Sequence, residues 1–224
     1  MVKQILKKQD SMKTNLNLLV ILIIIIIVAC SQNTPKIINL KQQKTDSISN
    51  KGNEKGEKCL AEFKNLRNYI YQKKKDSLKN YFIFPVKDNY SNDNLWYLSL
   101  LDNEILYDKL KTTAFTQKDF DKYFDKLFSP KYVKCLLKVK SEILFEKGHY
   151  ETSSLIRKTE DNTIERIWMN AIYDKKTKSL RLMLNDYEYE NYQDKDALFE
   201  SNIEYDFQYD ENCNLKFVKF IFAG

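Results

Sequence analysis

Apolar and polar positions change their spacing several times along this chain, and each change marks a boundary. An unbroken apolar run occupies residues 18–29. At about a dozen residues it is too short to span a bilayer comfortably. Residues 31–58 then carry almost no large apolar side chain and hold two of the chain's four glycines. Such a stretch cannot bury enough surface to offset the entropy of ordering, which predicts a flexible tether. A helical stripe follows. Leu60, Phe63, Leu66 and Ile70 recur at helical intervals, with Lys64, Asn65, Arg67 and Asn68 turned outward. Lysines 73, 74 and 75 stand at the end of this helix, where cations complement its dipole.

Asp76 is placed to cap a second short helix over 77–82, which must stop before Pro85. Residues 87–111 read as an irregular or helical insert that gives Trp96, Leu98, Leu100 and Leu101 to the core. Thr116, with Asp119 three residues on, resembles a capping box in which Asp replaces Glu. Phe120, Phe124, Leu127 and Phe128 continue that helix. Ser129 and Pro130 break the chain and restart it, proline being favoured in a first turn, and a third helical piece covers 132–139.

Beyond residue 141 the period falls to two. Runs at 152–158, 163–174, 179–189, 201–210 and 214–223 are rich in strand-forming residues and separated by turn-like segments. Ile203, Tyr205, Phe207 and Tyr209 alternate with Glu204, Asp206, Gln208 and Asp210, the mark of a half-buried strand. Ile167, Trp168, Met169, Ala171 and Ile172 are apolar at both parities, which predicts an interior strand with Trp168 buried. In the third run Leu180, Leu182 and Leu184 are even, whereas Tyr187 and Tyr189 are odd. That predicts a bulge or a strand end near Asn185 and Asp186. Helices followed by a meander of strands define an α+β fold, with N-terminal helices packed on a curved antiparallel sheet of four to five strands.

The start of the chain reads as an address. Lys3, Lys7, Lys8 and Lys13 precede the apolar run, and Ile27-Val28-Ala29-Cys30 resembles the junction at which bacterial lipoproteins are cleaved and acylated. The expected organisation is a signal peptide over 1–29, a lipidated Cys30 with its tether over 30–58, and one globular domain over 59–224. Met12 followed by Lys13 would start a tidier signal than Met1. Lipid at Cys30 would hold the domain at a membrane surface. Ser31 rather than an aspartate follows the cysteine, and by resemblance to known sorting patterns this implies the periplasmic side of an outer membrane. The formal charge is +6, of which Lys3, Lys7, Lys8 and Lys13 against Asp10 carry +3, leaving +3 for the mature part. So mild a surplus, spread among interleaved charges, argues against a nucleic-acid partner.

Candidate chemistry is sparse. The four cysteines include Cys30; Cys135 sits in an apolar helix as a small hydrophobe, and Cys59 and Cys213 either bridge or stay free. None has a cysteine or histidine neighbour at ligand spacing, so no metal and no cofactor are expected. The one histidine, His149, stands beside Gly148 and reads as a turn-exposed residue rather than a general base. Asp186, Glu188 and Glu190 share a strand parity opposite Tyr187 and Tyr189, with Tyr192 close behind. A strand end of this kind is expected to be wet, and these six residues form the candidate partner-contact patch.

The segments DSLKNYFIFPV (76–86) and DFDKYFDKLFSP (119–130), in this order of elements, resemble the cystatin-like, nuclear transport factor 2-like folds. They are most similar to small lipoproteins of Bacteroidetes, in which a Phe-Pro after the second helix and an aspartate-rich helix ending in Phe-x-Pro recur. Residues 87–115 depart from that pattern as an insertion. The resemblance implies a sheet curled around a helix with a cone-shaped mouth. Three functions are compatible with it. The first is a non-catalytic envelope lipoprotein that binds a protein or small ligand, favoured because no acid–base pair can be assigned. The second is an enzyme using the cone, and the third an immunity or inhibitor lipoprotein.

Overall fold

Cys59, Phe63, Leu66 and Ile70 recur at four-, three- and four-residue steps, and this spacing seats helix α1 (Asn50–Tyr71) with all four side chains buried. The computed structural model describes residues 50–190 and 197–224; the apolar run, Cys30 and Tyr192 lie outside the described residues. Helix α1 reaches back to Asn50, so the predicted boundary between 58 and 59 falls inside it. Its early residues include Glu54, Lys55, Glu57 and Lys58, good helix formers that extend a helix once packing has nucleated it. The helix closes with Lys73 in the left-handed region (φ +52°). Lys73 N–H donates to Ile70 O (3.2 Å) and Lys74 N–H to Tyr69 O (2.9 Å), the two bonds of a Schellman ending.

Helix α2 (Lys75–Lys79) starts earlier than predicted. Asp76 lies in its first turn and pairs with Lys79 at 3.0 Å instead of capping it. The insert at 87–111 folds as α3 (Asn89–Ser99) and α4 (Glu104–Leu110), capped by Asp88 and Asn103. Trp96, Leu98 and Leu100 are buried as expected, but Leu101 follows the end of α3 and is 48% exposed. Helix α5 (Gln117–Leu127) has the full capping box: Asp119 N–H donates to Thr116 Oγ1, and Thr116 N–H donates back to Asp119 Oδ2 at 2.9 Å. Helix α6 (Pro130–Lys138) opens on Ser129 with Pro130 in its first turn. Helix α7 (Ser141–Lys147) ends on Gly148 at φ +83°, where a Cβ would meet Tyr173 O at 3.3 Å. Among the described residues no helix is long and apolar enough to cross a membrane.

Six strands follow: β1 (His149–Glu151), β2 (Leu155–Lys158), β3 (Ile164–Asp174), β4 (Ser179–Tyr189), β5 (Phe199–Tyr209) and β6 (Leu215–Ala223). They form one open antiparallel sheet in the order β1-β3-β4-β5-β6, with β2 also paired to β3. The described residues thus form an α+β structure of seven helices and six strands. The strand count exceeds the predicted four to five because β1 lies wholly ahead of the first predicted run, which holds β2. No register break occurs at Asn185 and Asp186: β4 pairs with β3 without a shift from Ser179 to Tyr189. The bulge lies elsewhere, between Asp206 and Phe207 opposite β6.

One face of the sheet belongs to the core. Ile167, Met169, Ala171 and Tyr173 of β3, Leu180, Leu182 and Leu184 of β4, and Ile203, Tyr205, Phe207 and Tyr209 of β5 join the buried helix residues in a single cluster. Trp168 does not. It sits one position off this parity, half-buried on the opposite face, so β3 is interior in the hydrogen-bonding direction while only one of its faces is fully apolar. Aromatic rings fill the interior: Phe128 stacks on Tyr205 at 5.2 Å, Tyr205 contacts Phe220 at 4.8 Å, and Phe82 stacks on Phe217 at 4.7 Å. A disulfide joins Cys59 of α1 to Cys213 in the turn before β6, with Cα atoms 4.8 Å apart. Cys135 is free and buried, its thiol pushed up to about 11 by that burial.

Two core tyrosines separate packing from hydrogen bonding. Tyr205 Oη donates to Leu127 O at 2.7 Å, whereas the equally buried Tyr132 Oη has no hydrogen-bond partner. Tyr205→Phe should therefore cost about 1 kcal/mol or more in urea unfolding by orphaning a carbonyl, while Tyr132→Phe should be neutral or stabilising. Equal losses in the two variants would contradict this assignment.

Candidate functional site

At Leu184 the two sheet faces exchange character. The core face continues from Leu180, Leu182 and Leu184 into Asp186 and Glu188, while the other face becomes aromatic at Tyr187 and Tyr189. The predicted acidic-aromatic patch is therefore split by the sheet itself, because neighbouring residues on a strand point to opposite sides.

On the core face, Asp186 is buried beside Glu165 of β3, another carboxylate at core parity. Both are held by cations from different elements. Lys131 of α6 donates to Asp186 and lies 3.6 Å from Glu165. Arg157 of β2 grips Glu165 through Nε and through Nη2, the latter at 3.0 Å. Glu188 accepts a hydrogen bond from Thr163 Oγ1. Burial raises the Asp186 carboxyl above its ordinary value, Lys131 opposes this, and adjacent Glu165 raises it further. The expectation of a wet strand end with ordinary carboxylates thus fails at Asp186, because α6 covers it.

The opposite face presents a different surface. Trp168 and Tyr187 meet edge to face at 4.9 Å, Tyr187 lies 6.5 Å from Tyr189, and the Arg166 guanidinium lies 5.0 Å from the Tyr189 ring centroid. Tyr189 is buried rather than exposed, opposite Ile164; Tyr187 and Trp168 are half-exposed. Further along, Ile172, Arg181, Asp206 and Lys219 form one cross-strand row, and Asn170, Met183, Glu204 and Ile221 the next. Arg181 bonds Asp206 at 2.9 Å and lies 3.1 Å from Glu204. Glu204 is buried, which raises its carboxyl, and Asp206 adds to the rise. A shallow hollow of about 360 Å³ lies beside Ile172, Arg181, Asp206 and Val218.

The remaining candidates are dispersed. Glu190 is exposed just beyond β4, and Tyr192 and Cys30 lie outside the described residues. His149 is exposed as expected, but it opens strand β1 opposite Ile172 instead of sitting in a turn. Among the described residues no cluster of three His, Cys, Asp or Glu side chains could hold a metal ion. The partners missed in the sequence are Glu165, Lys131 and Arg157. Only Glu165 left a signal there, a charge at the parity of Ile167 and Met169. No protein-family model, no curated protein and no solved structure matches this chain.

The raised Asp186 carboxyl has a defined pH signature. Above pH 3.8 the unfolded chain releases this proton while the folded chain still holds it, so the group's contribution to stability falls as pH rises through the folded value. Asp186→Asn should remove that fall. Urea unfolding at a series of pH values from 4 upward should show the variant gaining relative to wild type. Parallel curves would mean that Asp186 titrates normally.

Proposed function

We propose that this chain is a lipid-anchored envelope protein, held at a membrane through Cys30, whose α+β domain binds a protein partner or small ligand without acting on it chemically. The observation that carries the binding reading is the half-exposed pair of Trp168 and Tyr187 on the sheet face turned away from the core. Large aromatic side chains with an apolar body and a polar tip are the side chains from which interface anchors are built. Ile172, 42% exposed on the same face, and the charged row of Arg181, Asp206 and Lys219 supply an apolar neighbour and a polar border. A non-catalytic role is supported by the buried carboxylates: Glu165 and Asp186 are already engaged by Arg157 and Lys131.

The envelope reading draws on the Ala29-Cys30 junction after a short apolar run and on the bridge between Cys59 and Cys213. Disulfides persist in oxidising compartments and are rare in reducing ones. The periplasmic face of an outer membrane is the address that Ser31 supports. The finer fold reading, cystatin-like or nuclear transport factor 2-like, draws on helices preceding an antiparallel meander.

Cys30→Ala should abolish incorporation of a labelled fatty acid in growing cells, because the thioether is the proposed tie to lipid. Persistent labelling of that variant would sink the anchoring reading. For the binding face, a photo-crosslinking residue at Ile172 should capture a partner in intact cells. Trp168→Ala combined with Tyr187→Ala should lower that capture about tenfold or more, as loss of central aromatic anchors does. The melting temperature should move by only a few degrees, both residues lying outside the buried cluster. Undiminished capture would remove the outer face from the proposal.

A further inference from the structure

On the helical side of the domain, α1 and the α6–α7 connection border an open hollow of about 430 Å³. Lys64 and Arg67 enter it from α1 and Lys140 from the connection, with Glu142 as the one carboxylate in its lining. Tyr71, 60% exposed, and Leu137, 41% exposed, supply apolar walls. The charge balance is uneven. Lys64 is occupied by Glu142 at 2.7 Å, but no carboxylate of the described residues pairs with Arg67 or Lys140.

Arg67 is the informative side chain. Arg157 and Arg181 each hold carboxylates, whereas Arg67 holds only neutral acceptors, Ser141 Oγ and, at 3.0 Å, Leu137 O. Its Nε is buried with no hydrogen-bond partner, and burial pulls its pKa down, offset only in part by the charge of Glu142. A guanidinium has five N–H groups in a fixed fork. Here Ser141 and Leu137 take one from each terminal nitrogen, fix the plane of the fork, and leave a second N–H on each. This part-buried, oriented cation lies 5.6 Å from the Phe63 ring centroid and is compensated only in part by Glu142, so its remaining N–H groups are placed to receive an anion.

We infer that this hollow binds an oxyanion, a carboxylate or phosphoryl group, held by Arg67 and Lys140 while the remainder of the ligand lies against Leu137 and Tyr71. Arg67 supplies direction through its fork, and Lys140 supplies a mobile point charge. Glu142 is the built-in competitor. It neutralises Lys64 and repels an incoming anion, so its removal strengthens the site. This inference is independent of the outer sheet face. The same chemistry is offered by a free oxyanion and by a phospholipid headgroup.

The test uses the full chain in nanodiscs of phosphatidylcholine, titrated with inorganic phosphate while the backbone amides of Leu137, Lys140 and Ser141 are followed by NMR. A saturable shift is expected, weakened about tenfold or more in Arg67→Gln and about threefold or more in Lys140→Gln, the scale of charge-assisted hydrogen bonds. Glu142→Gln should tighten binding about threefold by removing the like charge. Arg67 also ties α1 to α6, so the exposed Lys140 and Glu142 variants decide the matter if Arg67→Gln fails to fold. Nanodiscs containing phosphatidylglycerol separate the sources. A titration suppressed there identifies a lipid headgroup as the oxyanion, and an unchanged one identifies a soluble anion. Absence of a saturable shift into the ~100 mM range, or binding indifferent to both Lys140→Gln and Glu142→Gln, overturns the inference.

Discussion

An open antiparallel sheet has to end somewhere, and its last strand exposes backbone donors that neither the core nor a neighbouring strand can satisfy. In this protein that constraint falls on β6, whose phenylalanines are in the buried cluster or packed against it and whose edge therefore cannot be left to water. Three outward N–H groups are met from outside the sheet: Phe217 by Tyr81 O at 2.7 Å, Phe220 by Ser91 Oγ at 2.9 Å, and Phe222 by Asn94 Oδ1 at 3.3 Å. Two of these acceptors are side chains of α3, so that helix is obliged to lie along the strand. Neighbouring polar groups are engaged as well. The Ser91 hydroxyl donates to Asp88 Oδ2, and Asn92 donates to Thr113 O while accepting from Phe115 N–H. Trp96 Nε1 reaches the same carbonyl of Thr113. Closing one sheet edge thereby fixes the 88–115 segment, which the family resemblance sets apart as an insertion.

The opposite edge is managed by brevity. Strands β1 and β2 are three and four residues long, and Arg157 and Lys158 stand on β2. Short, charged edge strands are poor templates for further pairing. Arg157 has a second task, since its grip on Glu165 balances a carboxylate that β3 carries into the interior. Lys131 does the same for Asp186 from the helical side. Two buried carboxylates side by side are destabilising alone, and their neutralisation from two different elements couples β2 and α6 to the central strands.

Much of the architecture could be read from spacing, because burial of one stripe or one parity leaves a periodic trace. The stripe through Phe63, Leu66 and Ile70, the capping box at Thr116 and Asp119, the restart at Ser129 and Pro130, and the four long strands are all of this kind. The errors share a cause too. A run apolar at both parities predicts a buried Trp168, although Ile167, Met169 and Ala171 define the buried parity and Trp168 falls between them. At Asp186 the change of apolar parity predicts a wet strand end, whereas the strand runs on unbroken and the parity of Leu180, Leu182 and Leu184 continues through it. Parity outranks residue type where the two disagree. What no spacing reveals is side-chain acceptance across long separations. Ser91 and Asn94 look like ordinary polar helix residues until β6, more than a hundred residues on, arrives beside them. The oxyanion hollow was invisible for the same reason, since Arg67 and Lys140 are far apart in sequence and each alone is an unremarkable surface cation.

The bridge between Cys59 and Cys213 ties together two positions 154 apart in the sequence. The first sulfur belongs to α1, and the second to the turn before the last strand. The cysteine that lies between them in the chain is Cys135. A bond between Cys59 and Cys135 would instead tie α1 to α6 covalently. The native arrangement removes that rival by inserting Cys135 wholly into the interior, against the carbonyl of Ile167. In the folded protein, burial of that one side chain leaves Cys59 and Cys213 as the two sulfurs placed within reach of each other.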